Sequence, residues 1–260
     1  MNSVNPLSSK NLFRIVKERF EAAADPEIAV QMAAYMRNRF EFYGIKTPER
    51  RALYRDLIST MKKTAKTAGK ASAAGKGGES DVSSDAVPSP IDWTLFDLCF
   101  ADPHREFQYF ACDAMNALCG HMKYEDIWHL KRYIKTKPWW DTIDSITKYI
   151  GSIGLRDSRV AALMLEWSTD DDMWIRRTAI EHQLGLKERT NRELLAEIIE
   201  NNLASSPYSG DFSREFFINK AIGWVLREFS KTDPEWVRDF IDRHREDMAT
   251  LSVKEGSKYI

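Results

Sequence analysis

The most constraining feature of this chain is a helical period that returns along it with little interruption. Trp174-Ile175-Arg176-Arg177-Thr178-Ala179 is similar to Phe217-Ile218-Asn219-Lys220-Ala221-Ile222, at an offset of 43 residues. A helix opening at Trp139 precedes the first of these by 35, and one around Glu106-Phe107 lies a further 30-odd residues upstream. Apolar residues spaced at i, i+4, i+7 and i+11 line one side of a helix. Helices of that kind recurring every 30 to 45 residues cannot bury their stripes alone, and bury them by stacking on their neighbours. No segment alternates apolar and polar residues convincingly. The expected fold is all-α, a superhelical stack of HEAT-like helical repeats (an α-solenoid) with a concave face.

The punctuation agrees with that reading. Amphipathic helices are expected at Asn11–Ala24 and Pro26–Tyr43. Another starts at Thr47-Pro48-Glu49, with Thr as N-cap, Pro at the first helical position and an acid in the first turn. Further helices are expected around Trp93–Phe100, His104–Cys119, Tyr124–Lys135, Trp139–Gly151, Ser158–Trp167, Asp172–Leu186, Asn191–Leu203, Ser213–Ser230 and Pro234–His244. Asp-Pro, Lys-Pro and Ser-Pro steps separate several of them. Residues 1–260 read as one domain, within which Lys62–Pro90, rich in Gly, Ala, Ser and Lys, reads as a flexible linker or long loop.

Composition excludes some functions. The cysteines Cys99, Cys112 and Cys119 show no C-x-x-C pair and the five histidines no H-E-x-x-H, so neither a metal nor a cofactor is expected. No apolar run approaches a membrane span, and no signal-peptide core opens the chain, which points to the cytoplasm, or the nucleus in a eukaryote. With a net charge of −1, any polyanion-binding surface must come from local clustering. A monomer is expected.

KPWWDTIDSITKYIG, 137–151, raises the functional question. Trp139, Ile143, Ile146 and Ile150 form a complete core stripe. Adjacent helical residues point about 100° apart, so Trp140 cannot share that stripe. Asp144 stands one turn after Trp140 on the same off-core side. FFINKAIGWVLREF, 216–229, repeats the design. Ile218, Ile222, Val225 and Phe229 form the stripe, while Lys220, Trp224 and Arg227 lie on another side. In the repeat register Arg177 takes the place of Lys220. Taken singly, such residues have ordinary explanations: tryptophans seal core edges, lone Asp residues cap helices, and Lys or Arg points to solvent. Two off-core tryptophans with charged neighbours at helical spacing point instead to a ligand-facing surface.

Four segments carry a family resemblance: FYGIKTPERR (42–51), PWWDTIDSI (138–146), MWIRRTAI (173–180) and FFINKAIGWVLREFSKT (216–232). In this order they resemble the AlkD-type DNA alkylation-repair glycosylases, over roughly Phe13–Lys254 apart from Lys62–Pro90. The resemblance implies a solenoid that cradles duplex DNA and hydrolyses the N-glycosidic bond of N3- or N7-alkylated purines. It implies catalytic roles for Trp140, Asp144 and Trp224. It places Arg177 near the strand carrying the lesion and Tyr35 in the active-site cleft. Thr47, Arg50 and Arg51 fall in a turn that contacts the DNA backbone. Lys187, Lys220 and Arg227 complete the expected DNA-binding set. Two departures stand out: Lys62–Pro90 is longer than usual, and Lys187 is a single lysine where relatives often carry two, so one phosphate contact is in question.

The chemistry of those residues fits. An alkylated purine is already cationic and leaves readily, so the demand is to stabilise an oxocarbenium-like sugar. Tryptophan faces and a carboxylate supply that without a base-flipping pocket. The alternatives are a non-catalytic DNA- or protein-binding member of the same fold and a scaffold whose groove takes a peptide.

Overall fold

A computed structural model describes residues 8–74 and 90–260. Thirteen α-helices account for the described residues' regular structure, joined by short 3-10 turns and one isolated bridge between Glu41 and His104. The fold is all-α, a succession of stacked helices. The chain divides into two compact units, Met1–Met122 and Lys123–Ile260; the reading of 1–260 as one domain drew no boundary there.

In the first unit, α1 (Ser9–Ala22), α3 (Thr47–Ala74), α4 (Trp93–Ala101) and α5 (Arg105–Leu118) pack on one another. Phe20 is fully buried at their centre, edge-on to Phe107 and Tyr54. The helix expected over Pro26–Tyr43 is shorter: α2 spans Pro26–Tyr35. Arg37 and Asn38 adopt left-handed φ values of 56° and 54°, which no helix continues through. Beyond them the chain runs extended. Glu106, fully buried, accepts the backbone N–H groups of Tyr43, Gly44 and Ile45 at 3.0–3.2 Å. That acid supplies the hydrogen bonds that the helix would otherwise have made.

The Lys62–Pro90 reading needs correction over its first part. α3 continues through Ala74, and Ala65 is buried. Ala and Lys are strong helix formers, so KKTAKTAGKASAA extends the preceding helix despite its low complexity. Residues 75–89 lie outside the described residues.

The second unit holds α6 (Ile127–Lys135), α7 (Trp140–Gly154), α8 (Arg159–Trp167), α9 (Met173–Glu181), α10 (Arg192–Glu200), α11 (Phe216–Phe229), α12 (Pro234–His244) and α13 (Thr250–Gly256). α9 packs against α7 on one side and α11 on another, and α11 packs closely on α13. Both expected stripes are buried: Ile143, Ile146 and Ile150 of α7, and Ile218, Ile222, Val225 and Phe229 of α11. α9 ends at Glu181, short of the expected Leu186, and α13 is a helix that the periodicity did not single out. No helix among the described residues is long and apolar enough to cross a membrane, and no cluster of three or more His, Cys, Asp or Glu there could hold a metal. Cys99, Cys112 and Cys119 are not joined in disulfides, and the first two are buried.

Two glycines let the helices of this unit approach closely. A Cβ on Gly151 of α7 would meet the His182 carbonyl oxygen, just past α9, at 2.0 Å. One on Gly223 of α11 would meet the Cβ of Glu255, on α13, at 2.6 Å.

Candidate active site

Lys137 takes a left-handed φ of 49°, and Pro138 follows. Trp139 is then the extended N-cap of α7 (φ −161°), and Trp140 is its first helical residue. The helix therefore opens one residue later than expected, yet the two tryptophans part as the spacing requires. Trp139 is 4% exposed, with its ring 5.8 Å from that of Trp174 and 5.1 Å from that of Phe217. It joins the starts of three helices. Trp140 is half-buried, and Asp144 follows one turn later along α7.

Asp144 and Arg177 meet. Asp144 Oδ1 accepts hydrogen bonds from Arg177 Nε at 3.2 Å and Nη2 at 2.9 Å. Arg177 Nη1 donates to the Phe217 carbonyl at 2.7 Å. One guanidinium thus ties α7, α9 and α11 together. It is 3% exposed, so it enters the site as the partner of Asp144 and is not presented on the surface. The Asp144 side chain remains 18% exposed. Burial pushes its carboxyl above the usual range, and Arg177 opposes that shift. Behind the pair lies Glu181, fully buried, with Oε1 2.7 Å from Arg177 Nη2. Sequence reasoning missed it, although an acid four residues after an arginine on a helix is an ion-pair spacing.

Arg176, next to Arg177, points elsewhere. It donates to the backbone carbonyls of Thr169, Asp170 and Tyr208 and to Asn202 Oδ1, which fixes the start of α9 and with it the direction of Arg177.

Trp224 is half-buried on α11, one turn after Lys220 and one turn before Arg227. Lys220 Nζ lies 2.7 Å from Glu255 Oε1, and Arg227 pairs with the other oxygen of the same carboxylate. The two cations are 38% and 23% exposed. Lys220 beside it holds the Glu255 carboxyl below its usual range. Glu255, like Glu181, was not foreseen; it belongs to the helix that the periodicity passed over. Lys187 is exposed, with a left-handed φ of 55°. It lines a cavity of about 400 Å³ with Gln183, Glu228 and Lys231, which includes none of Trp140, Asp144 and Trp224.

In the first unit, Tyr35 is 72% exposed at the end of α2. With Ile28, Met32, Lys46 and Tyr109 it lines a cleft of about 200 Å³. Arg50 is buried, donating to the Tyr54 hydroxyl at 3.1 Å and to Thr47 Oγ1 at 3.5 Å. Its guanidinium lies over the Tyr109 ring. Arg51 makes a two-pronged contact with Asp113, at 3.1 and 2.9 Å. Thr47, Arg50 and Arg51 are therefore grouped, around Asp113 and Tyr54.

Comparison with known proteins bears on the same residues. The profile of the family described as "DNA alkylation repair enzyme" matches residues 16–83 and 79–260, a span that takes in each residue of the candidate site. A solved structure described as a predicted DNA alkylation repair enzyme from Enterococcus faecalis is 30% identical, with a TM-score of 0.71 over 91% of this chain and 96% of that one. No curated protein matches. The helical stack, the ordered motifs and a match spanning nearly the whole chain lead to one assignment: this chain belongs to the DNA alkylation repair enzyme family.

Proposed function

We propose that this protein is a monofunctional DNA glycosylase that hydrolyses the N-glycosidic bond of N3- or N7-alkylated purines in duplex DNA. The observation that carries the reading is Asp144: a half-buried carboxylate, held by one guanidinium and one helical turn from an off-core tryptophan. A carboxylate fixed in that way needs little reorganisation when positive charge develops beside it.

The substrate's own charge makes such a site sufficient. With N3 or N7 alkylated, the purine leaves with the bonding electron pair and becomes neutral, so no strong general acid is required. The sugar left behind is oxocarbenium-like, positive at C1′ and O4′. Asp144 stabilises that charge and orients the water that attacks C1′; the water's proton passes to the carboxylate or to solvent. Trp140 and Trp224 present ring faces, each contributing about 0.5–2 kcal/mol to holding a cation above it. Arg177 acts in this scheme by fixing the direction of Asp144. Lys220, Arg227, Lys187 and Arg51 meet phosphates, with Thr47 and Tyr35 beside them; Arg50, buried, braces Thr47 and Tyr54 from inside, and no base-flipping pocket is required.

The decisive assay is release of free 7-methylguanine or 3-methyladenine from alkylated duplex DNA. Release by the wild type that falls to background in Asp144→Asn is the expected result. No release by the folded wild type would remove the glycosylase reading and favour a non-catalytic DNA-binding member of the family.

A further inference from the structure

Glu181 closes the Asp144–Arg177 pair from inside the protein. It is the last residue of α9, one turn after Arg177, and fully buried. A buried carboxylate is tolerated only when it is paired and hydrogen-bonded, or neutral. Its nearest cation is Arg177, 2.7 Å away. Three of that guanidinium's five N–H groups are directed at Asp144 Oδ1 and the Phe217 carbonyl, and none is aligned on either Glu181 oxygen. Its other neighbour is the Asp144 carboxyl: Asp144 Oδ1 and Glu181 Oε1 lie 2.9 and 2.7 Å from the same nitrogen, Arg177 Nη2. Two carboxyls gathered on one guanidinium nitrogen do not both ionise readily, and one shared proton gives each a partner.

We infer that Glu181 is a positioning residue of the site: it carries the proton of an Asp144–Glu181 carboxyl pair and donates it in a hydrogen bond that keeps Asp144 ionised and fixed in direction. The positioning role rests on the reading of Asp144 as the catalytic carboxylate. The proton sits on Glu181 because that group is fully buried, whereas Asp144 is partly exposed and accepts both Arg177 bonds. Burial pushes both carboxyls upward, Glu181 well above the ordinary range. The charges acting on Glu181 are Arg177 on its own helix and Asp144 and Lys148 on α7; Asp141 acts on the pair through Asp144. His182 beside it is neutral, pushed down to about 4 by burial. α11 contributes the Phe217 carbonyl, through Arg177. The helices α6, α8 and α10, which also pack on α9, add no charge to that set.

Two measurements test this on the full chain. Infrared difference spectra of wild type against Glu181→Gln at neutral pH should show the carbonyl stretch of a protonated carboxylic acid in the wild type and its loss in the variant. Absence of that band overturns the proton assignment, whatever reaction the site performs. Single-turnover excision across pH tests the positioning role. Glu181→Leu, which cannot donate, should excise about ten- to a hundredfold more slowly, with its acid limb moved to higher pH. Glu181→Gln keeps a donor and should stay within about threefold of wild type, with a near-normal acid limb. A wild-type rate and acid limb in Glu181→Leu overturn the role, as does a Glu181→Gln defect as large as that of Glu181→Leu. If the wild type releases no base, the glycosylase reading has failed and the positioning role falls with it, while the infrared band still decides where the proton lies.

Discussion

Trp139 and Trp140 are neighbours in the chain with opposite demands on it. Trp139 fills the junction of three helices, so Trp139→Ala should cost about 3–5 kcal/mol of stability, measured by denaturant unfolding. Trp140→Ala should melt close to wild type and lose excision; the reverse order would mean that the side-chain assignment on α7 is wrong. Asp144→Asn should preserve the fold and lower single-turnover excision by about 2.7–4 kcal/mol in the barrier, a hundred- to a thousandfold. Because burial raises the Asp144 carboxyl, excision should fall on acidification at a pH above the ordinary Asp range, as the carboxylate is protonated. Glu181 affects stability with a definite sign. Its folded pKa lies above its unfolded one, so the folded state binds the extra proton, and stability falls as pH rises from the unfolded Glu value of about 4.3. Melting curves of Glu181→Gln and wild type should therefore lie closest in acid and separate towards neutral pH in the variant's favour. A separation that shrinks as pH rises would contradict a protonated Glu181. At this scale the position of Trp140 and Asp144 off the core was legible, because a stripe of four apolar residues fixes which neighbours lie off it. Glu181 was not. Spacing alone does not distinguish an Arg–Glu pair in solvent from one buried behind the Asp144 carboxyl, and the contacts of α9 with α7 and α11 make the difference.

Helices α7 and α9 carry the two halves of the Asp144–Arg177 pair, and their separation is set where Gly151 faces the His182 carbonyl. A methyl group at that position would sit 2.0 Å from a backbone oxygen, so Gly151→Ala must push the helices apart. The expected cost is about 1–3 kcal/mol, as for other overpacked contacts, read as a lower denaturation midpoint. Excision should fall further than stability does, since a displacement on the order of 1 Å at reacting groups can cost a hundredfold in rate. An unchanged midpoint would show that the approach is looser than the contact implies. Much of this architecture was legible as periodicity: most helices lie within a few residues of their expected places, and Pro234–His244 coincides with its expectation. The misses share a cause. Periodicity reports which residues could share a face and says little about where backbone conformation or tertiary contacts stop or prolong a helix. Arg37 and Asn38 turn the chain left-handed and end α2 early. Ala- and Lys-rich sequence with no large apolar residue continues α3 to Ala74. α13 is seven residues long and is held chiefly by its contact with α11, a contact that the sequence of α13 does not announce.

Across the chain, 38 basic residues are balanced against 39 acidic ones, and the balance is local as well as global. Most of the cations assigned to DNA already hold a carboxylate: Lys220 and Arg227 share Glu255, Arg51 grips Asp113, and Arg177 holds Asp144. A phosphate approaching Lys220 or Arg227 must compete with Glu255, and that carboxylate is ionised at neutral pH, its pKa lowered chiefly by Lys220. Glu255 would then act as an internal counterion that holds the two side chains in place and weakens nonspecific attraction to duplex DNA. Each phosphate neutralised contributes about 0.9 to the slope of log affinity against log salt. Glu255→Gln should therefore tighten binding to damaged and undamaged duplex alike and steepen that slope by about one unit. Lys220→Ala should weaken binding and flatten the slope by a similar amount. Combined with Glu255→Gln, it should lose more affinity than it does alone, because the lysine no longer has a protein partner to leave. Salt titrations of the three variants decide the point. If Glu255→Gln leaves the slope unchanged while Lys220→Ala flattens it, the carboxylate does not compete with DNA. If neither variant changes the slope, this end of α11 does not touch the phosphates, and DNA must be held elsewhere on the chain.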